Sequence, residues 1–252
     1  RRHSAGDISA SVDMIRAAGF DNLGIDLIAC VPGMGMRKWA ATIEGVVGFS
    51  PRHVSVYALT ADEGSALGAM VRTGVGRMLG DNAQLARLKA AADALASAGY
   101  RRYEISNYSL RGFECGHNLA CWRGAEYIGA GPSASSHAGR LRWTNDADLA
   151  AYLANLEEGR PPRREVERLS NITKAVELAI FGLRTSDGIN TFAVRERSGI
   201  STRMEKKLIA LLGGLSESGL LQFRGENWVL TERGRDVADH VAVELCGLQN
   251  DL

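Results

Sequence analysis

The sequence lacks most of the features that would fix its class at a glance. Thirty Lys and Arg stand against 29 Asp and Glu, a formal net charge of +1, so no broad electrostatic attraction to nucleic acid or an anionic membrane is available. No apolar run approaches the length of a membrane span, no signal peptide opens the chain, and there is no internal repeat or low-complexity tract. Cysteine is scarce. The four at 30, 115, 121 and 246 read as reduced thiols rather than a secreted disulfide framework, which points to the cytoplasm. An initiator Met is also missing from the start, Arg1-Arg2-His3, and we expect sequence upstream of it. What remains is an ordinary globular composition, 45% hydrophobic and 23% charged, in 252 residues, enough for one large domain or two.

The chain then reads as alternating helices and strands. Ser4 and Asp7 have capping-box spacing ahead of a helix over about 5–18 that ends at Gly19. Leu23–Ile28 reads as a buried strand closed by Pro32-Gly33, and Arg37–Val47 as a helix. Val54–Leu59 is the next strand, Asp81 opens a long helix ending at Gly99, and Arg102–Asn107 is a third strand. This rhythm predicts a parallel sheet with crossover helices. Starting on a helix with too few strands to close, it reads as the second half of a β/α barrel, whose sites gather at the C-terminal strand ends. Composition shifts at Gly159–Arg164, a predicted linker. Beyond it we expect a helix from Val166 to Leu183, two more capped by Asn190 and Ser201, two short strands over 220–231, and a last helix over 232–245. Helix, helix, hairpin, helix is a winged-helix pattern. Its recognition-helix face carries Arg203, Lys206 and Lys207 diluted by Glu205 and Glu217, which favours packing over DNA binding.

The densest polar constellation is Glu114–Arg123, where Cys115 and Cys121 flank His117 within seven residues. A thiolate or neutral imidazole can ligate heme iron, and Trp122 could stack on a porphyrin. The alternative is a tight loop in which His117 and Asn118 bond to backbone and the cysteines act as small hydrophobes. Zinc does not fit: the spacing matches no common site and no second ligand pair is near. Gly129–Ser133 is not a phosphate loop, having neither the Lys nor the strand–loop–helix setting, with Pro132 in place of a backbone donor. Asp26 interrupts an apolar strand, and a buried carboxylate needs a partner, either an arginine or a ligand.

Arg1–Ala5, Ile25–Ile28, Val31–Gly33, Val54–Thr60, Arg102–Tyr108, Cys115–Leu119, Trp122–Gly124, Tyr127–Gly129 and Gly131-Pro132 together resemble a radical S-adenosylmethionine (SAM) family. It is the family of HemW-like heme chaperones and oxygen-independent coproporphyrinogen III oxidases. The resemblance implies the C-terminal part of a radical-SAM (β/α) partial barrel over 1–160, carrying the heme-motif region, and a winged-helix-like domain over 165–252. It implies SAM binding by Arg1 and Asp26, heme binding by His117, Asn118 and Cys121, and no catalytic residue in this chain. A [4Fe-4S] cluster is implied too, on cysteines expected upstream of residue 1. Two departures stand out: Cys121 replaces the tyrosine of the heme motif, and Ser135 stands where the family usually has histidine. The implied function is heme binding and transfer to an unknown acceptor protein, with no nucleic-acid partner. The alternatives are oxidative decarboxylation of coproporphyrinogen III and a non-catalytic remnant.

Overall fold

The structure, a computed structural model, describes residues 4–250. They pack as two compact units, one ending at Cys115 and the other beginning at Gly116.

In the first unit, α1 (Ala5–Ala17) starts at the expected capping box: the Ser4 side chain accepts from the Asp7 N–H, and the Asp7 carboxylate accepts from the Ser4 N–H. There follow β1 (Gly24–Ala29), α2 (Met36–Gly48), β2 (His53–Ala58), α3 (Ala66–Arg72), α4 (Asp81–Ser97), β3 (Arg101–Arg102) and β4 (Asn107–Ser109). The sheet order is β1-β2-β4-β3. β1 and β2 are parallel over the full six residues, Gly24 opposite His53 through Ala29 opposite Ala58, as a crossover through α2 requires.

The third strand departs from expectation. Instead of a parallel strand over Arg102–Asn107, the chain turns back on itself, and β4 runs antiparallel to both β2 and β3. Local bonds favour the turn over a ladder. Glu104 accepts from the Ser106 N–H at 2.7 Å, and the Arg102 guanidinium donates to the Ile105 carbonyl at 2.6 and 2.9 Å.

One face of this sheet is covered by α2 and α4. Trp39, Ile43, Ala91 and Leu95 pack there against Leu27, Ala29, Val54, Val56 and Tyr108. Strand alternation sends the intervening residues to the other face: Asp26 and Ile28, His53, Ser55 and Tyr57, Asn107 and Ser109. Asp26 is therefore exposed rather than buried in the strand, and the cost of a buried carboxylate does not arise.

The second unit opens with α5 (Gly116–Trp122), then β5 (Ser135–Ala138), β6 (Leu141–Asn145), α6 (Leu149–Glu157) and β7 (Arg163–Arg168). The three strands form an antiparallel sheet in the order β5-β6-β7. The expected linker thus runs straight into a strand, and Val166 lies exposed on β7 rather than opening a helix. The helix begins later because Ser170 caps it, accepting from the Thr173 N–H at 3.0 Å.

That helix is α7 (Asn171–Leu183), followed by α8 (Thr191–Ser198), α9 (Thr202–Glu217), the hairpin β8 (Leu221–Arg224) and β9 (Asn227–Leu230), α10 (Glu232–Asp236) and α11 (Ala238–Cys246). Asn190 and Ser201 cap α8 and α9 as expected. The order is winged-helix-like, with the last helix interrupted at Val237 rather than continuous. Gly188 (φ +68°) ties the α7–α8 turn to the wing: a Cβ there would collide with the Trp228 carbonyl. No helix among the described residues is long and apolar enough to cross a membrane.

Candidate functional site

Two places gather the chemistry, one in each unit. On the helix-free face of the first sheet, Asp26, Ser55 and Asn107 stand side by side across β1, β2 and β4, since Asp26 pairs with Ser55 and Ser55 with Asn107. His53 and Ser109 form the adjoining pair. The His53 Nε2 lies 2.8 Å from the Tyr103 hydroxyl, which also accepts from the Cys115 N–H at 3.3 Å. Burial holds the His53 imidazole below its ordinary pKa, partly offset by the attraction of the Asp26 carboxylate. Two buried atoms on this face, Asn107 Oδ1 and Ser109 Oγ, have no hydrogen-bond partner among the described residues. Arg1, the other residue implied at SAM, lies outside the described residues.

In the second unit, α5 carries His117, Asn118 and Cys121 within two turns. His117 and Cys121 are four residues apart and share a face, the Cys121 Sγ lying 3.9 Å from the His117 Nε2. His117 is exposed, and Asn118 and Cys121 are half-buried. All four cysteines are free thiols.

Behind Cys121 lies a cavity of about 180 Å³, walled by Trp122, Leu169, Leu178 and Phe181 and also lined by His137 and Lys174. Gly124 (φ +67°) lets the turn after α5 close against α7, where a Cβ would press on the Leu178 side chain. Trp122 is already engaged: its ring meets Phe181 at 5.9 Å between centroids, and the Arg184 guanidinium sits 4.7 Å from its ring centre. Arg142, also on the cavity wall, is bound to Glu167 at 2.6 Å and Glu177 at 2.7 Å. Burial works against its charge, but the two carboxylates outweigh it and raise the guanidinium pKa above its ordinary value. His137 Nε2 is sealed from solvent without a hydrogen-bond partner among the described residues. Among the described residues no group of three or more His, Cys, Asp or Glu side chains could hold a metal ion.

Residues 169–237 match the HemN C-terminal domain. The chain is 32% identical to the heme chaperone HemW of Mycobacterium tuberculosis over 247 residues, 98% of this chain and 61% of that protein. It is 31% identical to HemW of Lactococcus lactis over 189 residues, 75% of this chain and 49% of that one. The chain belongs to the HemW and HemN family. A more distant member is the mitochondrial radical S-adenosyl methionine domain-containing protein 1 of Danio rerio, 27% identical over 75% of this chain and 44% of its own. The fold matches coproporphyrinogen III oxidase (HemN) from Escherichia coli, a radical SAM enzyme, with a TM-score of 0.78 at 18% identity, over 97% of this chain and 59% of that one. The fold is thus the C-terminal part of a radical-SAM partial barrel followed by a winged-helix-like region. The chain spans about half to three fifths of the length of these curated relatives.

Within that fold, the candidates read from the sequence were Asp26, His117, Asn118 and Cys121; the structure adds Asn107 beside Asp26, and His137 and Lys174 on the cavity wall with Cys121, as further candidates. Asn107 lay in what read as a plain strand. His137 is a lone histidine with no motif around it, and only the fold turns it toward the same cavity as Cys121.

Proposed function

We propose that the protein is a heme chaperone, binding heme through α5 and passing it to an acceptor protein. One observation carries the reading: α5 sets an exposed imidazole and a thiol 3.9 Å apart, with the thiol on the wall of a largely apolar cavity. Imidazole and thiolate both serve as protein ligands of heme iron, and apolar walls suit the porphyrin edge. Cys121 in place of the family's tyrosine adds a soft ligand to His117. The similarity to proteins named heme chaperone HemW supports the same reading.

We further propose that the first sheet's helix-free face takes SAM. Asp26 presents an exposed carboxylate that can accept from a ligand hydroxyl or ammonium, and the unpartnered Asn107 Oδ1 stands on the same face. The four thiols do not suit a [4Fe-4S] cluster, because no three of them come together among the described residues. The proposed division, barrel part over 1–160 and winged-helix-like domain over 165–252, is supported by the family match that begins at residue 169. Free cysteines throughout suit a cytoplasmic setting.

Titration of the chain with hemin tests the reading. We expect a shifted Soret band that His117→Ala weakens and Cys121→Ser alters in position. A spectrum identical to free hemin at saturating protein would sink it.

A further inference from the structure

We propose that the cavity behind Cys121 seats one carboxylate-bearing edge of the tetrapyrrole, with His137 and Lys174 as its polar partners. The inference rests on the heme reading above and adds residues that the heme motif does not contain.

Size comes first. At about 180 Å³ the cavity is well below the roughly 300–1,000 Å³ that buries a drug-sized ligand, so it takes an edge and not a macrocycle. Its walls then select for an apolar, flat edge: Trp122, Leu169, Leu178 and Phe181 line it. The polar groups select for an anion. His137 Nε2 is buried without a partner, an arrangement that proteins avoid unless a ligand or water completes it. The two cations on the wall differ. Arg142 is held by Glu167 and Glu177, two carboxylates that already more than balance its charge. Lys174 donates to the Gly139 carbonyl at 3.1 Å and, among the described residues, forms no ion pair. An ammonium and an imidazole N–H beside an apolar slot complement a carboxylate on a hydrophobic ring, which is the chemistry of a porphyrin propionate. With that edge anchored, the macrocycle extends past Cys121 toward the exposed His117 side of α5.

The test compares hemin with its dimethyl ester, titrated against the 252-residue chain by absorbance. The wild-type protein binds the free acid more tightly than the ester. His137→Phe and Lys174→Met each weaken the free acid by about tenfold, the scale of a lost charge-assisted hydrogen bond. Neither variant changes ester binding or the Soret position, because neither residue touches iron. His137→Gln and Lys174→Arg keep a donor and a charge and restore most of the affinity, which separates recognition from misfolding. Loss of acid and ester binding in equal measure, or variants that bind the free acid like wild type, overturns the proposal. In that event a Soret shift still weakened by His117→Ala leaves the heme reading standing. No shift with the wild-type chain removes both.

Discussion

Among the described residues two asparagines are buried, one in each unit, and they are treated differently. Asn145, 7% exposed, donates from Nδ2 to the carbonyls of Gly129 at 3.2 Å and Gly131 at 3.0 Å, pinning the turn ahead of β5. Asn107, 4% exposed, leaves its Oδ1 with no partner on the helix-free face of the first sheet. A buried amide oxygen without a hydrogen bond costs about 1–3 kcal/mol relative to a satisfied one. A fold that uses an asparagine as structure ties it down, as the second unit does. The Asn107 oxygen instead stays open on a face that also bears Asp26, Ser55 and His53, which is what the proposed ligand face requires.

The comparison can be broken most forcefully from the other side of the first sheet. Trp39 is 1% exposed and its Nε1 donates to the Arg87 carbonyl at 2.9 Å, so this side of the sheet is packed and bonded. Trp39→Ala should destabilise the protein by about 3–5 kcal/mol in urea unfolding. The loss should read out as faster amide exchange over 24–29 and 53–58. A cost under about 1 kcal/mol would mean that α2 does not hold the sheet as described.

The asparagines themselves give the next largest effect, and the sign differs between them. Asn145→Leu removes two bonds and strands the Gly129 carbonyl, while that of Gly131 keeps the Ala134 N–H, an expected loss of about 1–3 kcal/mol. Asn107→Leu removes an unsatisfied oxygen from a buried place and should be neutral or stabilising by about 1 kcal/mol when no ligand is present. Equal destabilisation by both would show that Asn107 is structural and that the contrast is false.

Much of this was legible in the sequence, and the failures share one cause. Helix starts at Ser4, Asn190 and Ser201 were readable because a cap is a local event between residues three apart. The parallel pairing of β1 with β2 followed from the helix between them. Arg102–Asn107 misled because its alternation is that of a strand, while the bonds that turn it back, from Glu104 and Arg102, are specific side-chain contacts without a periodic signal. Arg163–Arg168 misled in the opposite sense. Its start read as the end of a linker and its Val166 as the opening of a helix, and only pairing with β6 makes it a strand. Asp26 stood out as a carboxylate in an apolar strand, yet its exposure depended on one helix layer covering one face. The closeness of His117 and Cys121 in sequence was plain, but the helix α5 that sets them on one face was not read. Nor could His137 be placed, because nothing local in β5 says what lies across from it.

The smallest effect bears on the same polar face through His53. Burial disfavours its imidazolium, so the folded-state pKa lies below the ordinary value of about 6.5 despite the pull of Asp26. The unfolded chain therefore takes up a proton at higher pH than the folded one. The sign follows: this contribution to stability is complete above about pH 6.5 and is lost as the pH falls through the lower, folded pKa. Urea midpoints measured from pH 8 to pH 5 should fall at the acid end, and His53→Gln should remove part of that slope. Asp26→Asn should steepen it, because the attraction that partly rescues the imidazolium is gone. Parallel profiles for wild type and His53→Gln would mean that the ring is hydrated in solution, and the polar face would then be an open surface rather than a prepared one.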